Sequence, residues 1–253
     1  MTVEPRDVVM LFDGSFDGFL SVVYDVYYER LEPAGIVDES GGQLTIDCLP
    51  YIVSTDAVKA DKVLAGIGEK VSFEAAARVY HAFLTPDEGR FMVLLGYIRM
   101  GFRLGHMVDN YMRDDTVLRV HNLAKQTCRE SHLLLGFCRF SETKQGVFYC
   151  PITPRNDVLP IVAEHFSQRL MNQAWVIHDK TRNQAAVFDG RKYVIADVPR
   201  DVSFDLADGE EETRELWIRF FDSLTIQARM NKKVQRQLLP LYFRSNMTEF
   251  TRR

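Results

Sequence analysis

The sequence predicts an α+β protein: a helical amino-terminal part over residues 1–135, a central antiparallel β-sheet with a packed helix over 136–200, and a helical, basic carboxyl-terminal part over 201–253. Three observations carry this. Apolar residues recur at helical spacing through the first half. Short aromatic-rich runs separated by turn residues crowd the middle. The last 25 residues, Arg229 to Arg253, hold seven Lys/Arg and one acid, Glu249.

Val8 to Phe12 reads as a short buried strand. Asp13-Gly14-Ser15 follows, and Ser15 or Asp13 caps the next helix. Phe16, Phe19, Leu20, Val23, Val26, Tyr27 and Leu31 give that helix its apolar stripe, which Pro33 and Gly35 end. Leu44 to Tyr51 reads as a second strand, Asp56 to Leu64 and Phe73 to Leu84 as helices. Thr85-Pro86-Asp87-Glu88 has the form of a capping box opening a helix to about Leu104. Gly89, Gly96 and Gly101 weaken that helix unless a neighbour packs closely against it. A further helix spans Thr116 to Leu135.

Gly136 to Phe140 and Val147 to Ile152 then read as a hairpin turning at Gly146, and Pro160 to Asn172 has helical spacing. Ala174 to Ile177, Gln184 to Phe188 and Lys192 to Val198 complete the sheet, with Asp189-Gly190 as a tight turn. Seven acids in 201–215 feed a helix whose N-terminus favours Glu210 to Glu212. Trp217, Phe220, Phe221, Leu224 and Ala228 form its expected buried stripe.

Net charge is −4 for the 253 residues, from 31 basic and 35 acidic side chains; the last 25 are +6, so residues 1–228 carry −10. A cationic end interleaved with Tyr242, Phe243 and Phe250 suits a polyanion, and Arg229, Lys232, Lys233, Arg236 and Arg244 are the candidate phosphate contacts. The alternative is a basic end docked on the chain's own acidic surface. Met1 to Asp7 is unlike a signal peptide. The longest strongly apolar run, Phe91 to Ile98, has eight residues against the roughly 20 needed to span a bilayer. A cytoplasmic protein without membrane contact is expected.

Signals for chemistry are sparse. Cys48, Cys128, Cys138 and Cys150 lack C-x-x-C spacing and read as buried small hydrophobes, so neither metal nor cofactor is expected. His121, Cys128 and His132 share one helix line with Val117, Ala124 and Leu135, which makes it a packing face. His121 and His132 are about 16 Å apart along the axis, too far to share one ion. Leu64-Ala65-Gly66-Ile67-Gly68 with Ser72 is similar to the hairpin of a helix-hairpin-helix DNA-binding element, or is an ordinary turn. Asp13 and Asp17 suit capping better than acid–base work or cation binding. No nucleophile elbow, Walker loop, zincin helix or Rossmann fingerprint is present.

Several segments together resemble an uncharacterised bacterial family labelled "probable DNA metabolism protein". They are Phe12-Asp13-Gly14-Ser15-Phe16-Asp17-Gly18-Phe19, Glu130-Ser131-His132 through Gly136-Phe137-Cys138-Arg139-Phe140, and Pro154 through His165-Phe166. Trp175 to Asp179, Arg182, Ala185 to Asp189, Asn231 through Gln235-Arg236, Pro240 and Thr248-Glu249-Phe250 continue the likeness over nearly the whole chain. The resemblance implies an accessory to DNA modification or repair, encoded beside a radical-SAM protein as its partner, in a family whose domain also occurs fused to uracil-DNA-glycosylase-like domains. It brings no catalytic residues. Tyr242-Phe243-Arg244 departs from the family's tendency to a basic residue followed by Tyr-Trp, which puts a base-stacking role there in doubt.

Three readings follow: a DNA-binding accessory, an enzyme acting on a nucleobase or nucleotide, and an interaction protein whose tail seals a contact. For the enzyme, the acid–base candidates are Glu130, His132, His165 and Asp179, at least two of which must meet.

Overall fold

A computed structural model describes residues 8–39, 48–199, 202, 204–226 and 231–251. The chain falls into two compact units, residues 1–127 and 128–253.

The first unit contains two strands the sequence announced and one it did not. β1 (Val8–Phe12) lies between β2 (Gly35–Asp38) and β3 (Leu49–Ile52), parallel to both. β2 goes unseen in the sequence because four residues after Pro33 are too few to show alternation. The predicted strand from Leu44 is observed only from Leu49, and residues 40–47 lie outside the described residues. Between β1 and β2 runs α1 (Phe16–Tyr28), capped by Ser15, whose Oγ accepts from the Gly18 N–H at 2.9 Å. Asp13 Oδ1 accepts from the Ser15 N–H at 2.9 Å and Oδ2 from Thr55 Oγ1 at 2.7 Å. Burial raises the Asp13 pKa, but these hydrogen bonds outweigh it and leave the carboxyl below its usual range. Asp17 stays in the first turn of α1 and does not pair with it.

Three more helices follow: α2 (Ala57–Lys70), α3 (Phe73–Phe83) and α4 (Arg90–Leu104). Gly66 and Gly68 lie inside α2, against the rings of Phe102 and Phe73, so the glycine pair is neither a DNA-binding hairpin nor a turn. Ser72 caps α3 by accepting from Ala75 N at 2.9 Å. The capping box at Thr85 does not form. The Thr85 hydroxyl donates to Ala82 O at 2.8 Å, and Asp87 accepts from Gly89 N, so the segment is a turn and α4 begins at Arg90. Close packing does compensate the α4 glycines: a methyl group at Gly101 would sit 3.0 Å from Val71 Cγ2, and one at Gly96 would sit 3.1 Å from Thr116 Cγ2.

α5 (Asp115–Phe137) outruns its predicted end, because Leu133, Leu134, Leu135 and Phe137 continue the helical spacing. The strand predicted over 136–140 is therefore only β4 (Ser141–Glu142), pairing antiparallel with β5 (Phe148–Ile152). β6 (Trp175–Asp179), β7 (Gln184–Phe188) and β8 (Tyr193–Asp197) complete the order β4-β5-β6-β7-β8. The sheet is mixed, not antiparallel: β5 and β6 run parallel, from Phe148 opposite Trp175 to Ile152 opposite Asp179. The reason is the connection between them, long enough to carry α6 (Leu159–Arg169) and return the chain to the same end. Asp189-Gly190 turns the β7–β8 hairpin as predicted, with Gly190 at φ +91°.

The core of the second unit packs Val162, Ala163 and Phe166 of α6 on Cys150, Ile152, Trp175, Ile177, Ala186 and Phe188. α7 (Glu210–Leu224), α8 (Lys232–Leu238) and α9 (Leu241–Arg244) make the carboxyl end helical, and Phe243 and Met247 join the core at 2% and 3% exposure.

Candidate nucleic-acid interface

The basic end divides into two halves. Asn231 starts α8 by accepting from Lys233 N and Val234 N, both at 3.1 Å. Lys232, Lys233 and Arg236 are exposed, and none makes an ion pair among the described residues. Arg229 lies outside the described residues. Arg244 turns inward: Nη2 donates to Leu239 O at 3.3 Å, and the guanidinium lies 4.9 Å from the centre of the Phe250 ring.

From Tyr242 to Phe250 the chain is fastened. Thr153 Oγ1 donates to Tyr242 O at 3.0 Å and accepts from Asn246 Nδ2 at 3.0 Å. Glu249, 1% exposed at its side chain, accepts from Arg139 at 2.7 and 3.2 Å and from the Trp217 indole N–H at 3.1 Å. The one acid of the tail is therefore used internally, while the cations of α8 face outward.

The acid–base candidates separate. Glu130, 5% exposed, is saturated: Oε1 accepts from Arg155 N at 2.9 Å and the Tyr242 hydroxyl at 3.0 Å, and Oε2 accepts from Asn156 N at 2.7 Å and Nδ2 at 2.6 Å. Asp179, fully buried, accepts from Thr181 N, Arg182 N and Arg182 Nη1 at 2.8, 3.3 and 3.0 Å. Arg182 in turn donates to Pro154 O and to Arg155 O. The two carboxylates thus clamp one loop, 153–156, from its amide and carbonyl sides, at the carboxyl ends of the parallel strands. Glu130 accepts four hydrogen bonds, as many as a carboxylate takes, and Asp179 accepts three. His132 is exposed on α5, and half-buried His165 packs edge-on against Phe166, so neither histidine joins the clamp.

Cys128 is exposed and Cys138 half-buried, which corrects the reading of all four thiols as buried; only Cys150 fits it fully. The Cys138 thiol, hydrogen-bonded to Cys150 and buried, is pushed well above its ordinary pKa. His121 leaves the predicted packing face by bonding Asp109 Oδ1 at 3.0 Å, where the carboxylate also accepts from Tyr97 and Arg78. No group of three His, Cys, Asp or Glu side chains suited to a metal occurs among the described residues.

Sequence spacing gives no warning of the Tyr242–Glu130 contact, made across 112 residues. The Arg155 guanidinium lies 4.7 Å from the Tyr242 ring centre, and Arg129 and Arg155 are both exposed. Burial first, then the Glu130 carboxylate, pushes the Tyr242 hydroxyl up to about 12. No helix among the described residues is long and apolar enough to cross a membrane.

No curated protein matches the chain. Residues 88–249 match DUF4130, a domain of unknown function, over well more than half of the 253 residues, and the chain belongs to that family.

Proposed function

We propose that this protein is a non-catalytic accessory in DNA metabolism that holds nucleic acid through α8 and acts beside a radical-SAM enzyme. One observation supports the first half: Lys232, Lys233 and Arg236 stand exposed and without ion pairs among the described residues, in a chain of net charge −4. Three cations on one short helix suit phosphates of any sequence, with affinity that falls as salt rises. The partner comes from the resemblance to the DNA-metabolism family.

An enzyme acting on a nucleobase needs an uncommitted acid–base pair within reach of substrate. Glu130 is spent on the 153–156 loop and Asp179 on Thr181 and Arg182, which weighs against that reading. The test is a titration of labelled single- and double-stranded DNA at two salt concentrations. Wild type binds more weakly at the higher salt, and Lys232→Glu/Lys233→Glu/Arg236→Glu does not bind. Equal binding by that variant sinks the proposal. Co-purification with the radical-SAM protein tests the partnership.

A further inference from the structure

α7 is an amphipathic helix with little on its apolar side. Of its fifteen residues only Glu210 is fully buried, by accepting from Glu142 N at 3.1 Å. Leu216, Phe220 and Leu224, each one turn from the next, are 64%, 54% and 63% exposed. Of the stripe expected in the core, Phe220 and Leu224 are thus in water, whereas Phe221 meets Phe250, Trp217 meets Glu249 and Arg139, and Ala228 lies outside the described residues. Helices of this kind draw most of their stability from burying such a face.

The same unit exposes a second surface of this sort: Val234 and Leu238 on α8 and Leu241 at the start of α9, at 44%, 60% and 61%. The two helices are opposite in charge. α7 carries five acids and two arginines, whereas α8 carries three cations and no acid.

We infer that these surfaces are the two halves of a self-association interface, occupied by a second copy of this chain. α7 of one copy packs on α8 of the other, and the reverse contact closes the pair about a two-fold axis. Charge selects this pairing, because α7 against α7 or α8 against α8 would oppose like charges. Size supports it too. The six side chains offer on the order of 600 Å² per copy, most of the roughly 800 Å² that each side of a standard interface buries.

The test needs no DNA, so its outcome is independent of the proposed nucleic-acid contact. Sedimentation equilibrium of the full chain reads twice the monomer mass. Leu216→Glu/Phe220→Glu, made at exposed positions, raises the dimer Kd at least about tenfold and leaves the far-ultraviolet circular dichroism spectrum at 25 °C in place. Two charge-swapped chains sharpen the assignment: one carries Glu211→Lys/Glu212→Lys, the other Lys232→Glu/Lys233→Glu/Arg236→Glu. Each alone is monomeric, and an equimolar mixture dimerises, because every α7 then meets an α8 of opposite sign. A wild type that stays monomeric, swapped chains that dimerise alone, or a mixture that stays monomeric overturns the inference.

Discussion

Arg139 holds Glu249 through two guanidinium nitrogens, at 2.7 and 3.2 Å, with the carboxylate 1% exposed. The contact ties the end of α5 to the last turn of the chain across 110 residues. Its consequence is electrostatic as well as mechanical. The tail's one acid is neutralised inside, so nothing in the tail itself offsets the cations of α8. Removing one partner strands the other charge, and Arg139→Ala should lower unfolding free energy by about 3 kcal/mol in urea titration. An unchanged midpoint would show that the carboxyl end is not docked as described.

Much of the fold was legible wherever the signal is local. Ser15 and Ser72 cap helices, and Asp189-Gly190 turns a hairpin, because each acts over a few residues. Thr85 failed for a local reason of its own: its hydroxyl back-bonds to the carbonyl of Ala82, an option the capping-box pattern leaves out. The parallel β5–β6 pair and the Glu130–Tyr242 contact were not legible, since each depends on where a long connection returns. α7 shows the converse: its periodicity marked an apolar stripe correctly, but periodicity does not say what covers it.

Acid stability should fall in two windows of the same sign. Burial, with the Lys180 cation adding to it and Asp179 opposing, lowers the His178 pKa below its ordinary 6.5. The unfolded chain therefore binds a proton that the fold resists, and stability present above pH 6.5 is lost as pH falls below it. Glu249 acts lower down. Burial raises its pKa, but bonds from Arg139 and Trp217 prevail, so its contribution is present above pH 4.5 and lost as pH falls through the depressed value. Unfolding titrations between pH 8 and 3 should show both declines, with His178→Gln flattening the upper one alone. His178 Nδ1 lies 2.9 Å from the Tyr149 hydroxyl, so Tyr149→Phe serves as the control for that hydrogen bond.

Tyr242→Phe separates a structural Glu130 from a catalytic one. The hydroxyl is one of four donors to that carboxylate, and losing a hydrogen bond to a charged group costs about 2 kcal/mol. Glu130→Gln should cost more, because its amide nitrogen faces backbone N–H donors that it cannot accept. Thermal melts should rank wild type above Tyr242→Phe above Glu130→Gln. A Glu130→Gln protein as stable as wild type would return Glu130 to the list of groups free for chemistry.

The salt dependence of DNA binding should count the contacts. Three phosphate-neutralising cations give a slope of log K against log salt near −3 on duplex DNA. Replacing Lys232 alone should bring the slope about one unit closer to zero, with similar effect on every sequence tested. Arg244→Ala should leave the slope where it was, because that guanidinium lies over Phe250 and donates to Leu239 O. Leu216→Glu/Phe220→Glu should also keep the per-site slope, since α7 bears the apolar stripe and α8 the three cations. If Arg244→Ala flattens the slope as strongly as a lysine change on α8, the tucked arginine must swing out to meet DNA, and the division of the tail into an outward and a docked half fails.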